Sequence, residues 1–340
     1  MIWFVRDFDL LALLLRAVSF ALEAMSFGAL FFLLAAARPA GLAPDAQLRL
    51  RRIASRFALA LALTQVLVLA TTSAELMGSS GQGLRDLFSA SYFVAGSIFV
   101  VASMALFISL RAAKSLLPGV LAAVIALGAS VSLSHAMSRM NHRGLLLVFT
   151  AAHHLGMAAW IGALPFLLIA VKRTGDAEVS ATMARRFSTM AIASVATLVL
   201  AGVGLAWFYA GSWPAMVGTS YGLLLSSKIV VTALMLALGA GNFLTIRAAD
   251  GSRAPMLFRL RRFSEAELGL GFTVILAAAS LTAQSPSIDE MPQNTLTGHA
   301  IVQRMKWQRP SFHTPALAQL APPTPLSVAV PESAYTGGSA

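Results

Sequence analysis

The sequence predicts an all-α, polytopic membrane protein of about eight transmembrane helices, and three observations predict it. Apolar side chains make up 57% of the 340 residues and charged ones only 11%, with a mean hydropathy of +0.76. A soluble domain carries roughly a quarter charged residues and under half apolar ones. Eight apolar runs are each long enough to cross a hydrocarbon core of about 30 Å, which takes about 20 helical residues. The basic residues fall in short clusters between these runs, so the net charge of +11 reads as topology and not as polyanion binding. Together these features exclude an ordinary cytoplasmic enzyme, a disordered chain and a nucleic-acid binder.

The runs lie near 10–37, 53–77, 87–110, 116–137, 145–171, 187–212, 221–246 and 264–283, the fourth and eighth being the shortest. None has the amphipathic pattern of a helix lying on a membrane, and β-barrel strands would be about half as long and alternating. The first run ends in Ala35-Ala36-Ala37, which resembles a signal-peptide cleavage site. Its apolar stretch is too long for a leader, and Asp7 and Asp9 offset Arg6, so it reads as a membrane helix. In the fifth run, Pro165 removes a backbone hydrogen bond and predicts a kink near Ile161. Small-residue pairs such as Gly202/Gly204, Gly239/Gly241 and Gly269/Gly271 permit close helix contact.

Loop charge sets the expected orientation. Fifteen basic residues follow runs one, three, five and seven: Arg38, Arg49, Arg51, Arg52; Arg111, Lys114; Lys172, Arg173, Arg185, Arg186; and Arg247, Arg253, Arg259, Arg261, Arg262. The N-terminus and the alternate loops hold only Arg6, Arg85, Arg139 and Arg143. The positive-inside rule makes the first set cytoplasmic, with both termini outside. Trp207, Phe208, Tyr209, Trp213 and Tyr221 fit an aromatic belt at the outer interface. The membrane domain spans 1–283. Eight of the fourteen prolines follow Ala283, and 284–340 reads as a Pro-rich, mostly extended outer tail with a short helix around Thr297–Trp307.

Polar side chains inside hydrocarbon are costly and so mark function by default. The richest region joins runs four and five: His135, Met137, Met140, Asn141, His142, His153, His154 and Met157. Four of the six histidines and three of the fourteen methionines fall within these twenty-three residues. If run four leads outward, His135 lies near its outer end, and His153 lies about 12 Å deep in run five. The two imidazoles are then expected to converge in the outer half of the membrane. His153 and Met157 are spaced i, i+4 on one face, whereas His154 points about 100° away from His153. Imidazole and thioether donors without thiolate suit copper, especially Cu(I), and there is no cysteine in the chain. The competing reading of the same residues is histidines bonding between helices and methionines filling the core. His142, beside Arg143, reads as solvated.

Glu23 lies in the middle of run one with Ser19 and Ser26 a turn away. It serves either as an ion or proton relay or as a neutral acid bonded to a neighbouring helix. Gln65 reads as interhelical glue, Lys228 as a snorkelling side chain, and Glu75 with Met77 as an interfacial helix end. Ser264 and Glu267 match the capping pattern S-x-x-E at the start of run eight. His299 and His313 stand alone in the tail. No Walker loop, G-x-S-x-G or H-E-x-x-H occurs, so the residues support no enzyme.

One set of residues resembles a known family. Ser134-His135-Ala136 is followed by His153 and, seven residues on, Trp160-Ile161-Gly162. Then come Arg186-Phe187-Ser188, Gly218-Thr219-Ser220-Tyr221-Gly222 with Lys228, Gly239-Ala240-Gly241-Asn242, and Leu260-Arg261-Arg262 with Glu267. In order and separation these pieces resemble the CopD/PcoD copper-resistance membrane proteins over most of 10–283, most specifically over 135–283. The resemblance implies a multi-pass protein of the bacterial inner membrane. It also implies movement of copper from periplasm toward cytoplasm, alongside a periplasmic copper carrier of the CopC type. Carried over by position, His135 and His153 are the leading copper contacts, and Trp160, Lys228 and Asn242 are architectural or pathway residues. The chain departs from the family pattern near Ser19, where a histidine often follows the arginine corresponding to Arg16. Met25 or Glu23 is then a candidate substitute ligand. Two further functions compete: a membrane cytochrome with haem held between His135 and His153, and a non-transporting membrane partner that receives copper from a carrier.

Overall fold

In a computed structural model, residues 2–80, 84–248 and 253–289 are described. They form helices and connecting turns. α1 (Ile2–Phe31) continues into a π-helical turn at Phe32–Ala37. There follow α2 (Pro44–Ser80), the short α3 (Leu84–Ser89), α4 (Ser91–Ala112), α5 (Leu117–Ser132) and the four-residue α6 (His135–Ser138). Next are α7 (Arg143–Met157), a second π-helical turn at Ala158–Gly162, and α8 (Leu164–Arg173). α9 (Ala177–Ala210), α10 (Trp213–Gly218), α11 (Ser220–Ala248), α12 (Arg253–Thr282) and a 3-10 turn at Ser287–Asp289 complete the order. The architecture is all-α and polytopic. Seven helical segments among the described residues are long and apolar enough to cross a membrane.

The eighth expected span differs. Run 116–137 is a helix of only 16 residues, Leu117–Ser132, about 24 Å long at about 1.5 Å per residue. Pro118 sits in its first turn, where a missing N–H is harmless. Ser134 is extended (φ −84°, ψ 162°) and breaks the helix before His135. α5 nevertheless links two well-defined levels. Near its start, the Arg51 guanidinium donates to the carbonyls of Ser109 (3.1 Å) and Ala113 at the end of α4. Just past its end, His135 reaches the Thr282 carbonyl at the end of α12.

Local chemistry explains the boundaries. Asp176 caps α9 by accepting from the backbone N–H groups of Glu178 (2.8 Å) and Val179 (3.2 Å). Gly211, at φ +71°, ends that helix in a conformation that only glycine adopts cheaply. The last carbonyl of α12, on Thr282, accepts from both Arg16 (2.8 Å) and His135 (2.9 Å), groups that suit the negative end of a helix. The expected cap at Ser264 is absent, because α12 begins at Arg253 and runs through that position. Glu267 is instead a buried mid-helix carboxyl, 3% exposed.

The main core gathers α1, α2, α4, α5, α8 and the two π-turns around Phe32, Leu33, Leu61, Leu106, Phe166 and Leu167, all nearly or fully buried. The kink expected from Pro165 takes the form of the π-turn Ala158–Gly162 just ahead of it. Pro165 offers no N–H to the Ile161 carbonyl, and a widened turn absorbs the loss. That turn packs against α1 backbone to backbone. A Cβ on Gly162 would lie 1.9 Å from the Ala24 carbonyl oxygen, and one on Gly28 would lie 2.2 Å from the Gly162 carbonyl carbon. Of the glycine pairs in the sequence, Gly271 meets Ile161 and Gly239 faces Trp160 and Glu267, while Gly241 and Gly269 face open space.

At one end of the bundle Tyr209, Tyr221, Leu146, Ala136 and Leu281 form a smaller cluster. Ser287 joins it through a 2.6 Å hydrogen bond between its hydroxyl and that of Thr219. The first residues after Ala283 therefore dock on the helices. The tail beyond Asp289, with the helix expected at Thr297–Trp307 and with His299 and His313, lies outside the described residues.

Candidate metal site between the first, fifth and seventh helices

Glu23 is 1% exposed, and two helices supply its partners. The Ser130 hydroxyl of α5 donates to Oε2 at 2.9 Å, and His154 Nδ1 of α7 meets Oε1 at 2.9 Å. The Phe20 ring, one turn earlier on α1, stands edge-on to the His154 imidazole with centroids 5.8 Å apart. Ser19 and Ser26 flank Glu23 on the same face of α1, both buried. Ser19 accepts from Gln65 Nε2 of α2, which is the interhelical bond expected of Gln65. The Ser26 hydroxyl has no hydrogen-bond partner among the described residues. A polar stripe at i, i+4 and i+7 thus runs down an otherwise apolar helix, and α2, α5 and α7 each answer part of it.

His153 faces another way, as the 100° step predicts. Its ring lies against α9, where a Cβ on Gly202 would be 3.6 Å from Cε1 and 3.7 Å from Nδ1. Nδ1 is buried and has no hydrogen-bond partner among the described residues. Lys228 of α11, half-buried, and His154 act electrostatically on this ring, and the Leu198 backbone of α9 interacts with it as well. Met157, half-buried, follows one turn later on α7, and Met25, also half-buried, lies on α1 two residues past Glu23.

His135 and Met137 sit elsewhere. His135 is exposed, on α6, with Nε2 held by the Thr282 carbonyl at 2.9 Å. It lines a small surface cavity of about 160 Å³ with Ser138, Arg139, Pro286 and Asp289. Arg139 grips Asp289 through two bonds of 2.9 and 2.6 Å. Met137 is 41% exposed and Met140 86%, both beyond the break at Ser134. His142, left-handed at φ 56°, leans on the Phe208 ring at 5.2 Å. The structure therefore pairs Glu23 with His154 and gives His135 and His153 separate neighbours. No group of three or more His, Cys, Asp or Glu side chains gathers among the described residues. Ser130 was not singled out from sequence. The signal that marks it is the one that marks Glu23, a polar side chain in a span with few others.

Residues 181–281 match the family described as copper resistance protein D, CopD. No curated protein and no solved structure matches the chain. The matched stretch takes in most of α9 and all of α10 and α11, and reaches nearly to the end of α12. It includes Lys228, Asn242 and Glu267, whereas Glu23, His135, His153 and His154 precede it. The Asn242 side chain lies outside those described. Over residues 181–281 the chain is thus similar to the CopD copper-resistance family, and seven of its described helical segments are long and apolar enough to cross a bilayer.

Proposed function

We propose that this chain carries copper, as Cu(I), across the bacterial inner membrane from periplasm to cytoplasm, with both termini on the periplasmic side. The observation that carries the reading is His153 Nδ1, a buried ring nitrogen without a hydrogen-bond partner among the described residues. A buried polar atom left unpaired costs about 1–3 kcal/mol and calls for an explanation. A cuprous ion, which takes imidazole and thioether donors, would use that lone pair together with the Met157 sulfur one turn on. His154, turned about 100° from His153 toward α1, would hold the ion at a second position on the route. Lys228 and Met25 border the route. His135 and Met137, exposed at the end that the charge rule makes periplasmic, would receive copper from a carrier of the CopC type. The CopD match supports copper as the cargo.

The test is copper accumulation in cells that depend on this protein, together with Cu(I) titration of the purified chain in detergent. His153→Ala is expected to abolish restored uptake and to weaken binding, while reporter fusions should place both termini outside. Normal uptake by His153→Ala overturns the site. A strong Soret band in the purified protein overturns the cargo in favour of haem. Copper binding without flux into sealed vesicles identifies a receiving partner instead of a carrier.

A further inference from the structure

Histidine presents two chemically different nitrogens, and whichever one hydrogen-bonds decides which one is left for a metal. His154 directs Nδ1 at Oε1 of Glu23, 2.9 Å away, while Ser130 donates to the other carboxylate oxygen at 2.9 Å. Ser130 already donates to the carboxyl group, and with Glu23 as the carboxylate the proton between it and His154 sits on Nδ1. In the neutral imidazole the lone pair then resides on Nε2, which makes no hydrogen bond among the described residues. The ring is further held edge-on by Phe20 at 79° between planes. Glu23 itself is fixed by burial at 1% exposure and by bonds to two different helices.

We infer that Glu23 is a positioning residue for the metal site. Through Nδ1 it locks His154 in one tautomer and one ring orientation, so that Nε2 is the nitrogen offered to copper, and Ser130 in turn orients the carboxylate. Such carboxylate–histidine pairs orient ligands in metalloproteins generally, and loss of the outer partner typically lowers metal affinity 10–100-fold. Glu23 is then neither a copper ligand nor a relay station. The inference rests on the reading of α7 as the copper helix.

The experiment uses the full chain in detergent and Cu(I) supplied against a chromophoric chelator, with nitrogen-15 NMR of labelled histidine as an independent readout. In the metal-free wild type, His154 should show the Nδ1–H tautomer, and Cu(I) should perturb Nε2. Glu23→Ala should scramble the tautomer and weaken Cu(I) binding 10–100-fold. Glu23→Gln, whose carbonyl still accepts from Nδ1–H, should keep the tautomer and lose less than tenfold. Ser130→Ala should fall between wild type and Glu23→Ala, and it keeps the idea testable should Glu23→Ala fail to fold. An Nε2–H tautomer in the metal-free wild type overturns the inference. So does wild-type affinity in Glu23→Ala while His154→Ala is impaired. If the double variant of His153 and His154 to alanine binds Cu(I) as the wild type does, the copper site itself fails, an outcome distinct from either of these.

Discussion

Replacing Gly162 by alanine tests the contact that sets α1 against α7 and its π-turn. The added Cβ would lie 2.4 Å from the Ala24 carbonyl carbon and 1.9 Å from its oxygen. Both are backbone atoms, so no rotamer change relieves the clash. The oxygen contact is the tighter one, and carbon–oxygen contacts settle at about 3.3 Å, so the two segments must part by about 1.4 Å. A separation of that size along the helix–helix axis stretches the 2.9 Å Glu23–His154 bond to about 4.3 Å, outside hydrogen-bond range. Overpacking of this kind costs about 1–3 kcal/mol, and stranding a buried carboxylate partner adds about 1–3 kcal/mol. A destabilisation of about 3 kcal/mol or more is expected, over a hundredfold in the folding ratio. The assay is thermal unfolding in detergent beside Gly128→Ala. Gly128 has nothing within 4 Å of the new Cβ, and there alanine should gain about 0.5–1 kcal/mol from lower backbone entropy. Equal melting of the two variants would refute the close packing, and unchanged Cu(I) affinity in Gly162→Ala would refute its link to the metal site.

Three further outcomes are expected. Gly202→Ala places a methyl in ordinary contact with His153, 3.7 Å from Nδ1; it should leave the melting midpoint unchanged or raise it while weakening Cu(I) binding, as read by chelator competition. Arg51→Ala strips the donor from the Ser109 and Ala113 carbonyls at the end of α4, and at about 1.5–3 kcal/mol for bonds to a charged group it should lower the unfolding midpoint clearly. Asp289→Ala breaks the Arg139 pair, whose side chains are 25% and 47% exposed; a surface pair of this kind contributes about 0–1 kcal/mol, so differential melting should barely register it.

Fold class was legible because hydrocarbon imposes a single simple rule, a run of apolar residues as long as the bilayer is thick. Seven of the expected runs recur as long helices, with starts up to about ten residues earlier, as at Pro44, Ala177 and Arg253, and Pro165 announced the irregular turn at 158–162. The fourth run misled because Leu133, Ala136 and Met137 keep its apolar pattern going while the extended backbone at Ser134 has already ended the helix. The capping pattern at Ser264 misled for a related reason. A local motif reads the same at a helix start and in a helix interior, and only the helix's beginning at Arg253, with Glu267 facing Gly239, distinguishes them.

By itself the sequence determined the class of solvent this chain lives in, the number of apolar helices to within one, and the short list of polar groups costly enough to matter. Those properties are sums over neighbouring residues, and neighbours in the chain are all a sequence displays. Which of those groups meet was decided by tertiary structure alone. Glu23, Ser130 and His154 are separated by more than a hundred positions from first to last, and they come together because α1, α5 and α7 pack side by side. His135, by contrast, was drawn to the end of α12 by an open carbonyl there. Pairings of that kind depend on helix rotation and on glycine contacts such as Gly28 with Gly162, and a rotation of one residue would turn the same side chain by 100° toward a different neighbour.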